Sequence, residues 1–421
     1  ERVGVTQNFF ELGGHSLLAM RVIAGVGKRM SVELSVKELF QNPTIRSLGT
    51  LIESKSISEN ASLIPLNPRP EPIPLSFSQE RLWFIDVLEG SQAYHIPAVF
   101  KLEGSLNLEA LEQSLKAIVE RHEILRTVIK SDATQPYQLV LSADNWHLES
   151  VVLQPDTDLN AIIKNRVTQP FNLESDYMLR ASLIQLSEQT FQLIVTQHHI
   201  ASDGWSMSII VKELLENYQS YAKGQLPKHT PLPVQYADFA IWQRQTITGS
   251  LLDQKLAYWK QKLSDSAPLE LPTDFKRPAV MANEGAIIHF EFDEALKNQL
   301  NAFCQQTETT MFMVLLAGFK TLLYRYSGQS DISVGTAIAG RTKQELETLV
   351  GFFINTLVLR DELEGSKPFS NLLNQIKETT FDAFAHQEIP FEKIVETVVT
   401  DRDLSRTPLF QAMFVFQNTP P

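Results

Sequence analysis

Residues 197–206 read QHHIASDGWS. Two imidazoles stand side by side, and four positions after the second lies a carboxylate followed by glycine. Imidazole titrates near neutrality, which suits a proton acceptor or a hydrogen-bonding guide for a reacting group. Three plainer uses of the same residues compete with catalysis. Asp203 could serve only as the N-cap of a following helix. The histidines could be satisfied structural residues. The cluster could also hold a metal, but adjacent histidines on a strand diverge, and neither a His-x-x-x-His pair nor a cysteine supports them. The same alternation lets one histidine face a cleft while the other turns inward.

The elements that position this stretch can be read from its flanks. FQLIVTQ (191–197) has the β-branched centre of a strand and delivers His198 and His199 at its end. GWSMSIIVKELLENYQSYAKG (204–224) is helical: Ile210, Leu214, Tyr218 and Tyr221 share one face, and Gly224 can close it. LEALEQSLKAIVERHEIL (108–125) predicts an amphipathic helix, and TMFMVLLAGFKTLLYRYSG (310–328) a strongly apolar one ended by Gly328. DISVGTAIAG (331–340) reads as a strand entering a glycine turn. LPKHTPLPVQ (226–235) is a proline-broken loop, and 263–286 is irregular. The alternation predicts an α/β chain in two halves, joined near 245–275.

Composition narrows the function classes. With 421 residues and 43% apolar content the chain can bury more than one core. A formal net charge of −12 disfavours a nucleic-acid backbone as partner. Cys304 is the sole cysteine, so neither an internal disulfide nor a cysteine-built metal site can form; it reads as a small buried hydrophobe, and the chain as cytoplasmic. The longest apolar run, MFMVLLAGF (311–319), is too short to span a membrane. No signal peptide opens the chain, which starts without methionine and stops abruptly at FQNTPP; both ends read as cut from a longer polypeptide.

A second constellation lies near the start. Residues 10–18 read FELGGHSLL, with Ser16 where the helix 16–29 begins after a glycine pair. A serine there can be an N-cap, or an exposed hydroxyl open to modification. SVKELFQNP (35–43) predicts a short helix capped by Ser35, and TIRSLGTLIES (44–54) another. The proline-rich stretch that follows reads as an extended tether.

NFFELGGHSLLAMRV together with ELFQNPTI resembles the attachment site of peptidyl carrier proteins. The resemblance implies 4'-phosphopantetheine carried covalently on Ser16 and a small four-helix bundle whose first helix would precede Glu1. HHIASDG resembles the HHxxxDG signature of condensation domains of nonribosomal peptide synthetases. Further signatures of that family follow in order: SFSQERLWFID (76–86), RHEILRT (121–127), YADFAIWQ (236–243), VGFFINTLVLR (350–360), HQEIPFEKIVE (386–396) and RDLSRTPLFQAMF (402–414).

The implied fold is α/β (α+β): two chloramphenicol-acetyltransferase-like lobes in a V, with a tunnel between them. The organisation expected is a carrier over 1–54, a linker over 55–75, an N-terminal lobe over 76–250 and a shortened C-terminal lobe over 251–421. The implied reaction is amide formation, in which an acceptor aminoacyl amine attacks a donor thioester. His199 takes the catalytic position, as base or positioner. His198 faces away as a structural residue. Asp203 is expected to pair with Arg126 and fix the loop. Gly204 lets backbone approach the substrate, and an N–H of this turn can meet an oxyanion. Trp242 packs in the core, and Asn355 either lines the tunnel or satisfies a turn.

The partners implied are adenylation and carrier domains upstream and downstream, a phosphopantetheinyl transferase, and aminoacyl or peptidyl thioesters, with no nucleic acid, membrane or metal. The text around the motifs resembles the subtype taking an L-configured donor. An epimerising or dual epimerising domain, and a non-catalytic condensation-like domain that recruits a partner, are the rival readings.

Overall fold

The computed structural model describes residues 3–10, 12, 14, 16–55, 64–66, 68–132, 135–153, 158–281, 285–400, 403 and 405–417. They fall into two compact units, one comprising 64–246 with 345–354, the other comprising 1–63, 247–344 and 355–420.

The unit that contains 64–246 is built on a four-stranded sheet in the order β2-β7-β6-β5. These are His95–Glu103, Thr190–His198, Leu179–Ser187 and Glu149–Val151. β7 runs antiparallel to both neighbours, while β5 joins β6 in parallel. β7 is buried along nearly its whole length, which explains its run of Leu, Ile and Val. Two helices, α5 (Leu108–Arg121) and α7 (Gly204–Tyr221), pack against each other and contribute to one core. Leu115, Ile118, Leu183, Leu193, Val195, Ile210 and Phe239 meet in that core. Asn107 caps α5 by accepting from the Ala110 N–H at 3.0 Å. The helix expected over 108–125 ends at Arg121 and tightens into a 3-10 turn over Glu123–Arg126. His122 leaves the helix there because its ring is held by Glu213 of α7, Nε2 to carboxylate at 3.0 Å. A smaller sheet, β1-β4-β3, is made from Ile73–Pro74, Pro136–Val140 and Thr127–Ser131. α4 (Phe77–Glu89) carries the reciprocal cap of Ser76 and Gln79, and α8 (Tyr236–Thr246) ends the continuous part of the unit.

The other unit contains α1 (Ser16–Met30), α2 (Val36–Gln41), α3 (Ile45–Ser54) and α9 to α13. The last five span Gly249–Leu263, Glu294–Thr307, Met311–Ser327, Phe369–Ala385 and Phe391–Val398. Its sheet has the order β10-β8-β9, from Ala412–Met413, Asp331–Ile338 and Asn355–Glu362. Ser35 caps α2 as expected, with Glu38 reaching back to the Ser35 N–H at 2.7 Å. The segment carrying α1 to α3 does not stand apart from this unit: Phe40 of α2 lies 4.9 Å from Phe381 of α12, and Lys37 pairs with Glu378. Of the expected tether, residues 56–63 and 67 lie outside the described residues.

The expected irregular joint near 245–275 is helical as far as Leu263. Leu252, Leu256, Trp259 and Leu263 recur at helical spacing, and Trp259 and Leu263 are buried. AIIHFEF (286–292) forms no ladder among the described residues, and Ile288 and Phe290 are exposed. Cys304 is buried, as a small hydrophobe would be. Among the described residues no helix is long and apolar enough to cross a membrane.

α11 conceals a charge that its apolar pattern hides. Lys320 is fully buried, and its Nζ donates to Asp361 Oδ2 at 2.5 Å and to the Leu359 carbonyl at 2.7 Å. Asp361 Oδ1 accepts from Thr379 Oγ1 at 2.6 Å. Burial pulls the Lys320 ammonium below its ordinary pKa, and Asp361 opposes that pull. Removing one partner of such a pair is far costlier than removing both. Asp361→Ala is expected to lower unfolding stability in urea by about 3–5 kcal/mol, with Lys320→Met/Asp361→Leu recovering much of the loss. Equal midpoints for Asp361→Ala and the parent chain would show that the pair is not the constraint described.

Candidate active site

The site grows from the end of β7. His198 is its last residue and lies opposite His95 of β2 in the ladder. The chain then tightens into a 3-10 turn, His199–Ala201, before Asp203 opens α7. The two histidines therefore diverge, one within the sheet and one on the turn.

His198 is fully buried and both ring nitrogens are spent. The Ile200 N–H donates to Nδ1 at 3.1 Å, so the ring proton sits on Nε2, which donates to Ser91 Oγ at 2.7 Å. The Ser91 hydroxyl in turn donates to the Asp86 carboxylate. Burial, followed by the neighbouring His95, His199 and Arg180, pushes the His198 pKa from 6.5 down to about 3. This imidazole is neutral at working pH.

His199 is half-buried, and its ring meets Phe352 edge-on at 4.8 Å. Its Nδ1 is buried and has no hydrogen-bond partner among the described residues. Gly204 is the exposed first residue of α7, and a Cβ built on it would meet nothing within 4 Å. Open space therefore adjoins this backbone.

Asp203 is fully buried and caps α7, accepting at Oδ1 from the Ser206 N–H at 2.8 Å and the Ser206 hydroxyl at 2.7 Å. Its Oδ2 accepts from the Phe353 N–H at 3.2 Å. The expected ion pair with Arg126 is not formed. The Arg126 guanidinium sits at the end of its 3-10 turn and donates to the carbonyls of Leu141 and Glu120, while the Asp203 carboxylate faces its own helix start and residue 353.

Residues 345–354 run through this unit as a strap bonded at almost every step. Glu345 accepts from the Ile64 N–H at 3.0 Å, and the Trp205 indole donates to the Glu347 carbonyl at 2.9 Å. The Gly351 N–H donates to Ser206 Oγ at 3.1 Å, and the Tyr236 hydroxyl donates to the Phe352 carbonyl at 2.7 Å. A Cβ on Gly351 would lie 2.2 Å from the Tyr236 ring, so only glycine permits this approach. Leu346, Leu349, Val350, Phe352 and Phe353 are buried beside it.

Ser206, Tyr236 and Phe352 were not singled out by sequence reasoning. VGFFINT marked the segment, but nothing in it distinguishes a strap from an ordinary core strand. Trp242 is half-buried on α8 with its ring 6.0 Å from Phe239. Asn355 belongs to the other unit. Its amide donates to the Gln387 and Ile389 carbonyls, and its oxygen accepts from the Thr356 and Phe391 N–H groups. All of its hydrogen-bonding directions are thus used to close the turn before α13. Ser16 is the first residue of the 15-residue helix α1, and its side chain lies outside the described residues. A helix start suits a phosphodiester, so the backbone position fits a phosphopantetheine group. Among the described residues no group of acidic, histidine or cysteine side chains could hold a metal ion.

His198 makes a pH prediction. Its pKa is lower folded than unfolded, so below about pH 6.5 the unfolded chain binds a proton that the folded chain refuses. Stability falls as pH drops from about 6.5 toward 3, by up to about 1.4 kcal/mol per pH unit from this group, and the group has no effect above that window. His198→Gln should flatten the dependence of the urea midpoint between pH 6.5 and 4; identical slopes for the two proteins would refute the assignment.

Comparison with known proteins gives the family of the chain. The condensation-domain family matches residues 70–421, and the family described as a phosphopantetheine attachment site matches residues 1–52. One subunit of the linear gramicidin synthase of Brevibacillus parabrevis is 44% identical over 99% of the chain, and another subunit of the same synthase is 42% identical over all of it. The chain spans only 6% and 8% of the length of those two proteins. The X-domain of teicoplanin biosynthesis, solved in complex with OxyB, superposes with a TM-score of 0.77 at 30% identity, covering 84% of this chain and 79% of that one. An ordered signature loop, a mixed α/β fold and matches along the whole chain lead to one conclusion: the chain belongs to the condensation-domain family of nonribosomal peptide synthetases, joined to a phosphopantetheine-bearing carrier domain.

Proposed function

We propose that the chain joins two carrier-borne acyl groups through an amide bond, with His199 as the catalytic residue. The observation that carries this reading is the division within HHIASDG. His198 and Asp203 are consumed by structural hydrogen bonds, whereas His199 stays half-exposed beside the open backbone of Gly204.

Phosphopantetheine on Ser16 supplies the thiol that presents the donor as a thioester. The acceptor amine forms the new C–N bond as the C–S bond breaks, and its proton must leave. An α-amine has an ordinary pKa near 7.7–8.0, so His199 needs only to orient the neutral nitrogen or take the one proton it sheds, which ends on the departing thiolate, while the other N–H stays in the amide. The Gly204 N–H has no acceptor among the described residues and stands at a helix start, where it can meet the charge developing on the carbonyl oxygen. Asp203 acts by holding the loop. In this reading the donor is an L-aminoacyl group, 1–54 is the carrier, 55–75 the linker, and 76–250 and 251–421 the lobes. Adenylation and carrier domains are the working partners, with a phosphopantetheinyl transferase installing the arm.

A second reading, recruitment of a partner protein, draws on the likeness to the X-domain, whose structure holds OxyB.

The test loads Ser16 with an L-aminoacyl phosphopantetheine, adds an aminoacyl-loaded acceptor carrier and measures dipeptidyl thioester by mass spectrometry. His199→Ala is expected to cut the rate at least about 100-fold. Gly204→Val should fold and lose most of the rate, because its side chain fills the open space. Undiminished product from His199→Ala removes the assigned role, and no product from loaded parent protein with several acceptors favours recruitment.

A further inference from the structure

A catalytic imidazole is ordinarily aimed by a hydrogen bond at its non-reacting nitrogen, to a carboxylate or a carbonyl. His199 shows no such device among the described residues, where its buried Nδ1 meets no hydrogen-bonding group. The ring packs instead against Phe352, at 4.8 Å between centroids and 65° between planes. Edge-on packing of rings has a preferred geometry, which favours one orientation of each ring.

Phe352 is itself immobilised by the loop it touches. Its carbonyl accepts from Tyr236, and it is 8% exposed. The residue before it donates to Ser206, and the residue after it donates to Asp203. Residues 203–206 thus grip the backbone on both sides of Phe352, and Phe352 presses back on the ring of residue 199. These grips use the backbone of the strap, so the ring can be changed without cutting them.

We propose that Phe352 is a positioning residue that sets the orientation of the His199 imidazole by ring packing, in place of a hydrogen-bonding orienter. This rests on the assignment of His199 above. Phe352 touches the catalytic side chain and acts through it. A smaller side chain would leave the imidazole free to rotate while carriers bind as before.

The test measures dipeptide formation and the His199 ring in one set of variants of the full chain. Phe352→Leu and Phe352→Ala are expected to lower kcat by about 10- to 100-fold with little change in KM for the acceptor carrier. Phe352→Tyr keeps the ring and should recover most of the rate. Phe191→Leu, which trims a buried ring at the far end of β7, controls for lost stability and should keep its kcat at a matched Tm. With 15N-histidine labelling, the resonances of His199 are identified by their loss in His199→Ala. They should show exchange broadening by relaxation dispersion in Phe352→Leu and not in Phe352→Tyr. Unchanged kcat in folded Phe352→Ala, failure of Phe352→Tyr to recover it, or sharp His199 resonances in Phe352→Leu would each overturn the proposal. An inactive parent chain overturns the functional reading instead, and the labelling result still decides whether Phe352 holds the ring.

Discussion

The carboxylate of Asp203 is the point on which the site turns. Burying a carboxylate costs several kcal/mol unless donors replace its water. Here an N–H and a hydroxyl from Ser206 meet one oxygen, and the Phe353 N–H meets the other. Hydrogen bonds to a charged acceptor are roughly twice as strong as neutral ones, so the carboxylate is a better clamp than an amide would be. It joins two stretches that the chain keeps far apart: the start of α7 and the strap 345–354. The turn that presents His199 is held between them.

Around that clamp the two histidines have opposite tasks. His198 continues the sheet inward, and its proton lies on Nε2 in a line running through Ser91 to Asp86. Its neutrality is a condition of being buried beside His95 and Arg180. His199 lies one residue further, where the strand has already turned, and keeps part of its ring outside. One backbone turn separates an imidazole spent on structural hydrogen bonds from the half-buried one to which we assign the chemistry.

Much of this was legible in the sequence because it is local. The β-branched run of β7, the 3.6-residue spacing of α7 and the divergence of neighbouring side chains follow from periods of two and 3.6. The partner of Asp203 was not legible. A buried carboxylate demands a donor, and RHEILRT offered an arginine in a plausible motif, but backbone N–H groups leave no mark in a sequence. Phe352 escaped for a related reason. In VGFFINT a phenylalanine that braces a histidine has the same letter and the same burial as one that fills a core. Asn355 was visible as a polar residue among apolar ones, yet only coordinates show its four bonds closing a turn. The buried Lys320 sat in plain view within an apolar helix, while its partner came from a strand 41 residues on.

The strap also has a consequence in time. The Phe353 N–H reaches Asp203 across 150 residues of chain. During synthesis at about 5–20 residues per second, β7 and α7 emerge roughly 8–30 s before the strap that completes them. Through that interval the turn bearing His199 is without Phe353 on its carboxylate and without Phe352 on its ring. The nascent chain thus carries its signature long before it carries the strap, and the turn bearing His199 can be completed only after residue 353 has been made.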